Sequence, residues 1–137
     1  MKTILITGAT DGIGLATAKL LASQGHNLLM HGRNADKLKA AVEQVKRVSP
    51  DATTDTYLAD LSNFDEISLL TSMIKKEHQS IDVIINNAGI FKTPQTITND
   101  GLDIRFVVNT FAPVMITQSL LPILSDHGRV VNLSSAA

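Results

Sequence analysis

The stretch that most constrains this chain is its first turn. Thr3-Ile4-Leu5-Ile6 is a short apolar run that ends at Thr7, and glycines follow at Gly8, Gly12 and Gly14. A helical pattern starts at once, with Ile13, Ala16 or Thr17, and Leu20 or Leu21 on one face. The glycines therefore lie between a strand and a helix, which is the context that gives such a motif meaning. Glycine there lets the backbone turn tightly and approach a pyrophosphate, whose charge the helix N–H groups and dipole can hold. The spacing is Gly-x-x-x-Gly-x-Gly, and no Gly-Lys-Ser/Thr follows, which argues against a nucleoside triphosphate loop.

The rest of the chain repeats this alternation. A first helix is expected from about Gly14 to Gln24, with Gly25 as its stop. Asn27–His31 reads as a strand, and Ala35–Val48 as a helix capped by Asn34, with Leu38, Val42, Val45 and Val48 inward. Thr53–Ala59 reads as the third strand. Ser62 is expected to cap the third helix, with Asp65 in a capping-box-like position and Ile67, Leu70 and Ile74 as its buried stripe. Ile81–Asn86 is an apolar run of the kind buried on both faces of a parallel sheet. A long helix over Leu102–Leu124 and a strand over Arg129–Ser134 complete the series. Five strands alternating with helices predict one α/β domain, a doubly wound, Rossmann-like parallel sheet with ligands at the carboxyl ends of its strands.

Composition narrows the function classes. A net charge of −1 gives no electrostatic case for nucleic acid or an anionic membrane surface as partner. There is no cysteine, hence no disulfide and no thiolate metal site. His26, His31, His78 and His127 are scattered without ligand spacing, so no metal is expected. The apolar run before Gly8 is too short for a signal peptide, and no stretch is read as approaching a membrane span. A cytoplasmic protein is expected.

Thr7-Gly8-Ala9-Thr10-Asp11-Gly12-Ile13-Gly14 matches Thr-Gly-x-x-x-Gly-Ile-Gly at every fixed position. Here the chain resembles the short-chain dehydrogenase/reductase family. The resemblance implies a nicotinamide dinucleotide held by Gly8, Thr10, Asp11, Gly12, Ile13 and Gly14. The second strand ends His31-Gly32-Arg33-Asn34. An NAD-specific site usually places an acid where Gly32 stands. Arg33 instead offers a guanidinium for a 2′-phosphate, so Arg33 and Asn34 read as an NADP preference over NAD. Asp11 departs from those NADP-binding members that carry a basic residue there. Asp60-Leu61 resembles the family's adenine-binding pair. Asn86-Asn87-Ala88-Gly89 resembles its Asn-Asn-Ala-Gly motif, in which the backbone of Asn87, Ala88 and Gly89 lies along the cofactor ribose.

Two positions carry catalytic expectations. Pro113 has no N–H to give the carbonyl of Asn109, so that oxygen is expected at a local helix distortion, available to a water. The resemblance assigns the same carbonyl to the family's proton relay. It also assigns Ser135 to polarising a substrate carbonyl during hydride transfer. The family's Tyr-x-x-x-Lys pair is missing. The single tyrosine, Tyr57, is followed four residues later by Leu61. The resemblance thus covers the N-terminal part of a family subunit, five of its seven strands in the order 3-2-1-4-5-6-7.

The lost proton donor alone removes about 10²–10⁴ in rate, so the 137-residue chain is expected to be inactive as a dehydrogenase of small carbonyl or alcohol substrates. The alternative is a catalytically dead nucleotide-binding module that regulates a partner. A flavodoxin-like domain without a dinucleotide fits the motifs poorly. The fifth strand becomes a sheet edge, with Val130, Val131 and Leu133 under-covered, and self-association into a homo-oligomer is expected.

Overall fold

A computed structural model describes residues 1–90 and 92–134. Five parallel strands form one sheet in the order β3-β2-β1-β4-β5. They are β1 (Thr3–Ile6), β2 (Asn27–Gly32), β3 (Thr54–Leu58), β4 (Ile81–Asn86) and β5 (Leu124–Asn132). The alternation of side chains along each strand divides the core in two. Ile4, Ile6, Leu28 and Met30 face one layer of helices, α1 (Gly12–Ser23) and α2 (Ala35–Val48). Leu5, Leu29 and Ile84 face the other, α3 (Phe64–Glu77) and α5 (Ala112–Leu120). The doubly wound sheet read from the sequence is the fold observed.

The helices differ from expectation in informative ways. α1 begins at Gly12, and its buried residues are Gly14, Ala18 and Ala22. Of the face read from the sequence, Ile13 and Leu20 are 68% and 58% exposed, while Leu21, the alternative to Leu20, packs against the core. Small residues let the helix axis approach the sheet, and that closeness sets the face. In α2 the buried residues are Leu38, Ala41 and Val45, while Val48 is exposed. The cap of α3 is Asn63, not Ser62: its Oδ1 accepts from the N–H groups of Asp65 and Glu66. Ser62 is unavailable because its own N–H and hydroxyl both donate to Asp60 Oδ1.

The long helix is composite. It opens as α4 (Ile104–Phe106), widens to a π-helical segment over Val107–Phe111, continues as α5 and closes in a 3-10 turn over Leu121–Ile123. The distortion expected at Pro113 is thus a π turn just ahead of it, and Ala112 N–H donates to the Val107 carbonyl. The helix starts at Ile104 rather than Leu102 because Asp103 supplies the cap, accepting from Arg105 N–H. By length and hydropathy, Ile104–Ile123 could cross a membrane, which corrects the sequence reading. Here Val107, Ala112, Ile116 and Leu120 of that helix are buried.

β5 is longer than expected at its start. Ile81 pairs with Leu124 and Val83 with Arg129, so Ser125–Gly128 bulge out between them. Ser-Asp-His-Gly reads as a turn, but the strand absorbs it as an irregularity. β5 is an edge strand, and Val131 on it is 44% exposed.

Candidate functional site

The carboxyl ends of β1 to β4 open onto one cleft of about 390 Å³. Gly8, Thr10, Asp11, Gly12, Ile13, Arg33, Asn34, Asp60, Leu61, Asn87, Ala88 and Gly89 line it, so the fold gathers these sequence-selected positions around one space. Gly14 lies beneath the lining. A Cβ on Gly14 would run into the Gly8 carbonyl and come within 2.5 Å of Asn87 Nδ2. Gly8 has φ +63° and Gly12 φ +52°, values that disfavour any side chain.

The glycine turn is stapled to the end of β4. The Thr7 hydroxyl accepts from Asn87 N–H at 3.1 Å and from Ala88 N–H at 3.0 Å. In return Asn87 Nδ2 donates to the carbonyls of Thr7 and Gly8, at 3.1 and 3.0 Å. Buried Thr7 and the amide donors of Asn87 are thereby satisfied. The preceding Asn86 ties β4 to β5 and α5, with Nδ2 donating to Asn132 Oδ1 and Thr117 Oγ1.

The turn leaves its helix end open to a ligand. Asp11 is the N-cap of α1 but places no side-chain oxygen on the first N–H groups. In α2, by contrast, Asn34 Oδ1 accepts from Lys37 N–H. Uncapped N–H groups at a helix N-terminus favour an anion.

At the β2 corner, a Cβ on Gly32 would lie 2.5 Å from Thr10 Cγ2, so a side chain there meets an occupied place. Arg33 and Lys37 stand beside it on the cleft wall. Lys37 was not singled out in the sequence. Its signal is position: it belongs to the first turn of α2, directly after the strand end. Asp60 accepts from Ser62 through Oδ1 alone, and its N–H donates to Glu66 Oε1.

Asn109 is outside the cleft lining but grips it. Its Oδ1 accepts from Ile90 N–H and its Nδ2 donates to the Ile90 carbonyl, both at 2.8 Å. Ile90, at the end of the strand-end stretch Asn86–Ile90, and Val108 line the cleft, and of the two only Val108 was not read from the sequence. Ser135 lies outside the described residues. Among the described residues no cluster of potential metal ligands occurs.

A family model of short chain dehydrogenases matches residues 2–137. The chain belongs to the short-chain dehydrogenase family. It is 34% identical over 138 residues to retinol dehydrogenase 13 of Homo sapiens, an alignment covering 99% of this chain and 42% of the relative. A short-chain dehydrogenase from Sphingobium yanoikuyae, solved in complex with NADPH, superposes with a TM-score of 0.81 at 26% identity. That match covers 99% of this chain and 54% of the solved one. A metagenomic short-chain oxidoreductase in complex with NADP gives 0.83 at 26% identity, covering 99% of this chain and 63% of its own. The chain therefore spans about two fifths to two thirds of the length of these short-chain dehydrogenases.

Proposed function

We propose that this chain forms the NADP-binding part of an oxidoreductase that moves hydride between nicotinamide and a small carbonyl or alcohol substrate. The observation that carries the reading is the β2 corner. Two cations, Arg33 and Lys37, line the cleft where Thr10 crowds out an acid at Gly32. A guanidinium and an ammonium there favour a 2′-phosphate, whereas a 2′-hydroxyl calls for an acceptor.

The residues fit the cofactor at each part. The uncapped N-terminus of α1 suits the pyrophosphate, Asp60 and Leu61 suit the adenine, and the backbone of Asn87, Ala88 and Gly89 suits the ribose. Bound there, NADPH supplies the hydride. Asn109 fixes the wall after β4 through Ile90, and Pro113, four residues on in sequence, has no N–H to give its carbonyl, which suits a water of the proton relay. Ser135 takes the carbonyl-polarising role by family resemblance.

Calorimetric titration of the 137-residue chain with NADPH and then NADH tests the reading. NADPH is expected to bind about tenfold more tightly or better, a preference that Arg33→Ala removes. Equal binding of the two, or of neither, overturns it.

A second reading is a nucleotide-binding module without turnover, with Tyr57 in a structural role. Its hydroxyl donates to Glu77 at the far end of α3 and does not line the cleft. NADPH binding without carbonyl reduction by the whole protein would support that reading.

A further inference from the structure

His31, buried at 2% exposure near the end of β2, makes three hydrogen bonds to the two neighbouring segments of the cleft, the glycine turn and the chain leaving β3. Its Nδ1 accepts from Gly8 N–H at 3.1 Å. Its Nε2 lies 2.9 Å from the Ala59 carbonyl, beside Asp60. Its own carbonyl accepts from Ala9 N–H at 2.9 Å. An amide can only donate and a carbonyl can only accept, so both ring contacts are satisfied by one state, the neutral Nε2–H tautomer.

The bonds have a consequence for the turn. The amides of Gly8 and Ala9 are both spent on His31, so an anion is left to the first N–H groups of α1. Gly8 is held from opposite sides, its N–H by His31 and its carbonyl by Asn87. Ala88 closes it in, 2.9 Å from the place of a Gly8 Cβ.

We infer that His31 is the positioning residue of the nucleotide cleft, setting the glycine turn through Gly8 and releasing it on protonation. The inference rests on the nucleotide reading above. Protonated Nδ1 would point an N–H at the Gly8 N–H, so the turn must move. Burial favours the neutral ring and lowers its pKa, while the Ala59 bond and the charge of Asp60 oppose this in part. The other charged groups around the cleft are Asp11 in the glycine turn, Arg33 after β2 and Lys37 on α2.

The test is NADPH titration from about pH 5 to about pH 8 with the wild-type chain, His31→Asn and His31→Leu. An asparagine Oδ1 can replace Nδ1 as acceptor but does not titrate. His31→Leu is expected to weaken NADPH binding about tenfold at pH 8, and His31→Asn to recover most of that loss. The wild-type chain is expected to lose more affinity with acidification than His31→Asn, the loss setting in below the ordinary imidazole range because burial lowers the His31 pKa. The 2′-phosphate of NADPH titrates identically with both, so the difference isolates the ring.

Wild-type affinity in His31→Leu, or an undiminished acid loss in His31→Asn, overturns the inference. A wild-type chain that binds no NADPH at pH 8 overturns the nucleotide reading and the inference with it. Should His31→Leu fail to fold, amide exchange of the wild-type chain decides. Gly8 protection is expected to vanish with His31 protonation while Leu5 and Ile84 stay protected. Gly8 protection indifferent to that titration overturns the inference.

Discussion

Asn109 and Ile90 hold each other by two reciprocal hydrogen bonds of 2.8 Å, carboxamide against peptide group. The pair joins the π-helical segment to the chain leaving β4. Both bonds are open to solvent, which can replace them in part. Asn109→Ala should therefore cost only about 1–2 kcal/mol in urea unfolding. It should weaken NADPH binding as well, because Ile90 and its neighbour Gly89 line the cleft. Asn109→Asp keeps the acceptor, loses the donor and should fall between the two. A stable Asn109→Ala chain with unchanged NADPH affinity would separate the pair from the cleft.

Gly14 and Gly25 make a matched comparison. Gly14→Ala would press a methyl onto the Gly8 carbonyl and against Asn87 Nδ2, displacing the bond that closes the turn. Backbone cannot rotate out of the way, and a loss of about 3 kcal/mol is expected, with NADPH binding abolished. Gly25 has φ +85° and nothing within 4 Å of its Cβ position. Gly25→Ala should cost about 1 kcal/mol from conformation alone and leave the titration unchanged. Unfolding curves and NADPH titrations of both variants check the contrast.

Changing cofactor preference should need two substitutions. In Gly32→Asp the new Cβ meets Thr10 Cγ2 at 2.5 Å, so the carboxylate cannot reach a ribose without shifting the turn. That variant should lose NADPH binding, by repulsion of the phosphate, and gain little for NADH. Thr10→Ser removes the methyl and keeps the hydroxyl. Combined with Gly32→Asp it should bind NADH about tenfold more tightly than Gly32→Asp alone. Equal NADH affinity in the single and double variants would show that Thr10 yields by rotating.

These positions show what could be read from the sequence. The strand order followed from the family resemblance, and most of the cleft was legible because the glycine turn, Asp60 and Asn-Asn-Ala-Gly all end strands, and a doubly wound sheet brings strand ends together. The face of α1 was not, because hydrophobicity points to Ile13 and Leu20 whereas close approach to the sheet selects Gly14, Ala18 and Ala22. Ser62 and Asn63 are both good caps, and only the prior claim of Asp60 on Ser62 decides between them. Pro113 announced a distortion but not its π-helical form. His31 was legible as a residue at the end of a strand, but its bond to Gly8 was not, because the two are 23 residues apart in sequence.

Tyr57, outside the cleft lining, gives a prediction in the alkaline range. The residue is buried, its hydroxyl donates to Glu77 Oε2 at 2.7 Å, and His78 Nε2 lies 3.0 Å from it. His78 Nε2 is also 3.2 Å from Asp55 Oδ2, so the group ties the C-terminus of α3 to β3. Burial first, then the bond to the Glu77 carboxylate and the charges of Glu77 and Asp55, raise the phenol pKa above its usual value. The folded state therefore favours the neutral phenol. Its contribution is complete below the unfolded value of about 10 and is lost as pH rises beyond that. Tyr57→Phe should cost about 1–2 kcal/mol at neutral pH, since Glu77 and His78 can turn to water. The stability difference between wild type and Tyr57→Phe should shrink steadily between about pH 10 and about pH 11, because the phenol ionises in unfolded wild type while the folded state keeps it neutral. Urea midpoints measured across that interval decide it: a constant difference would mean that the hydroxyl ionises freely and that Glu77 does not hold it.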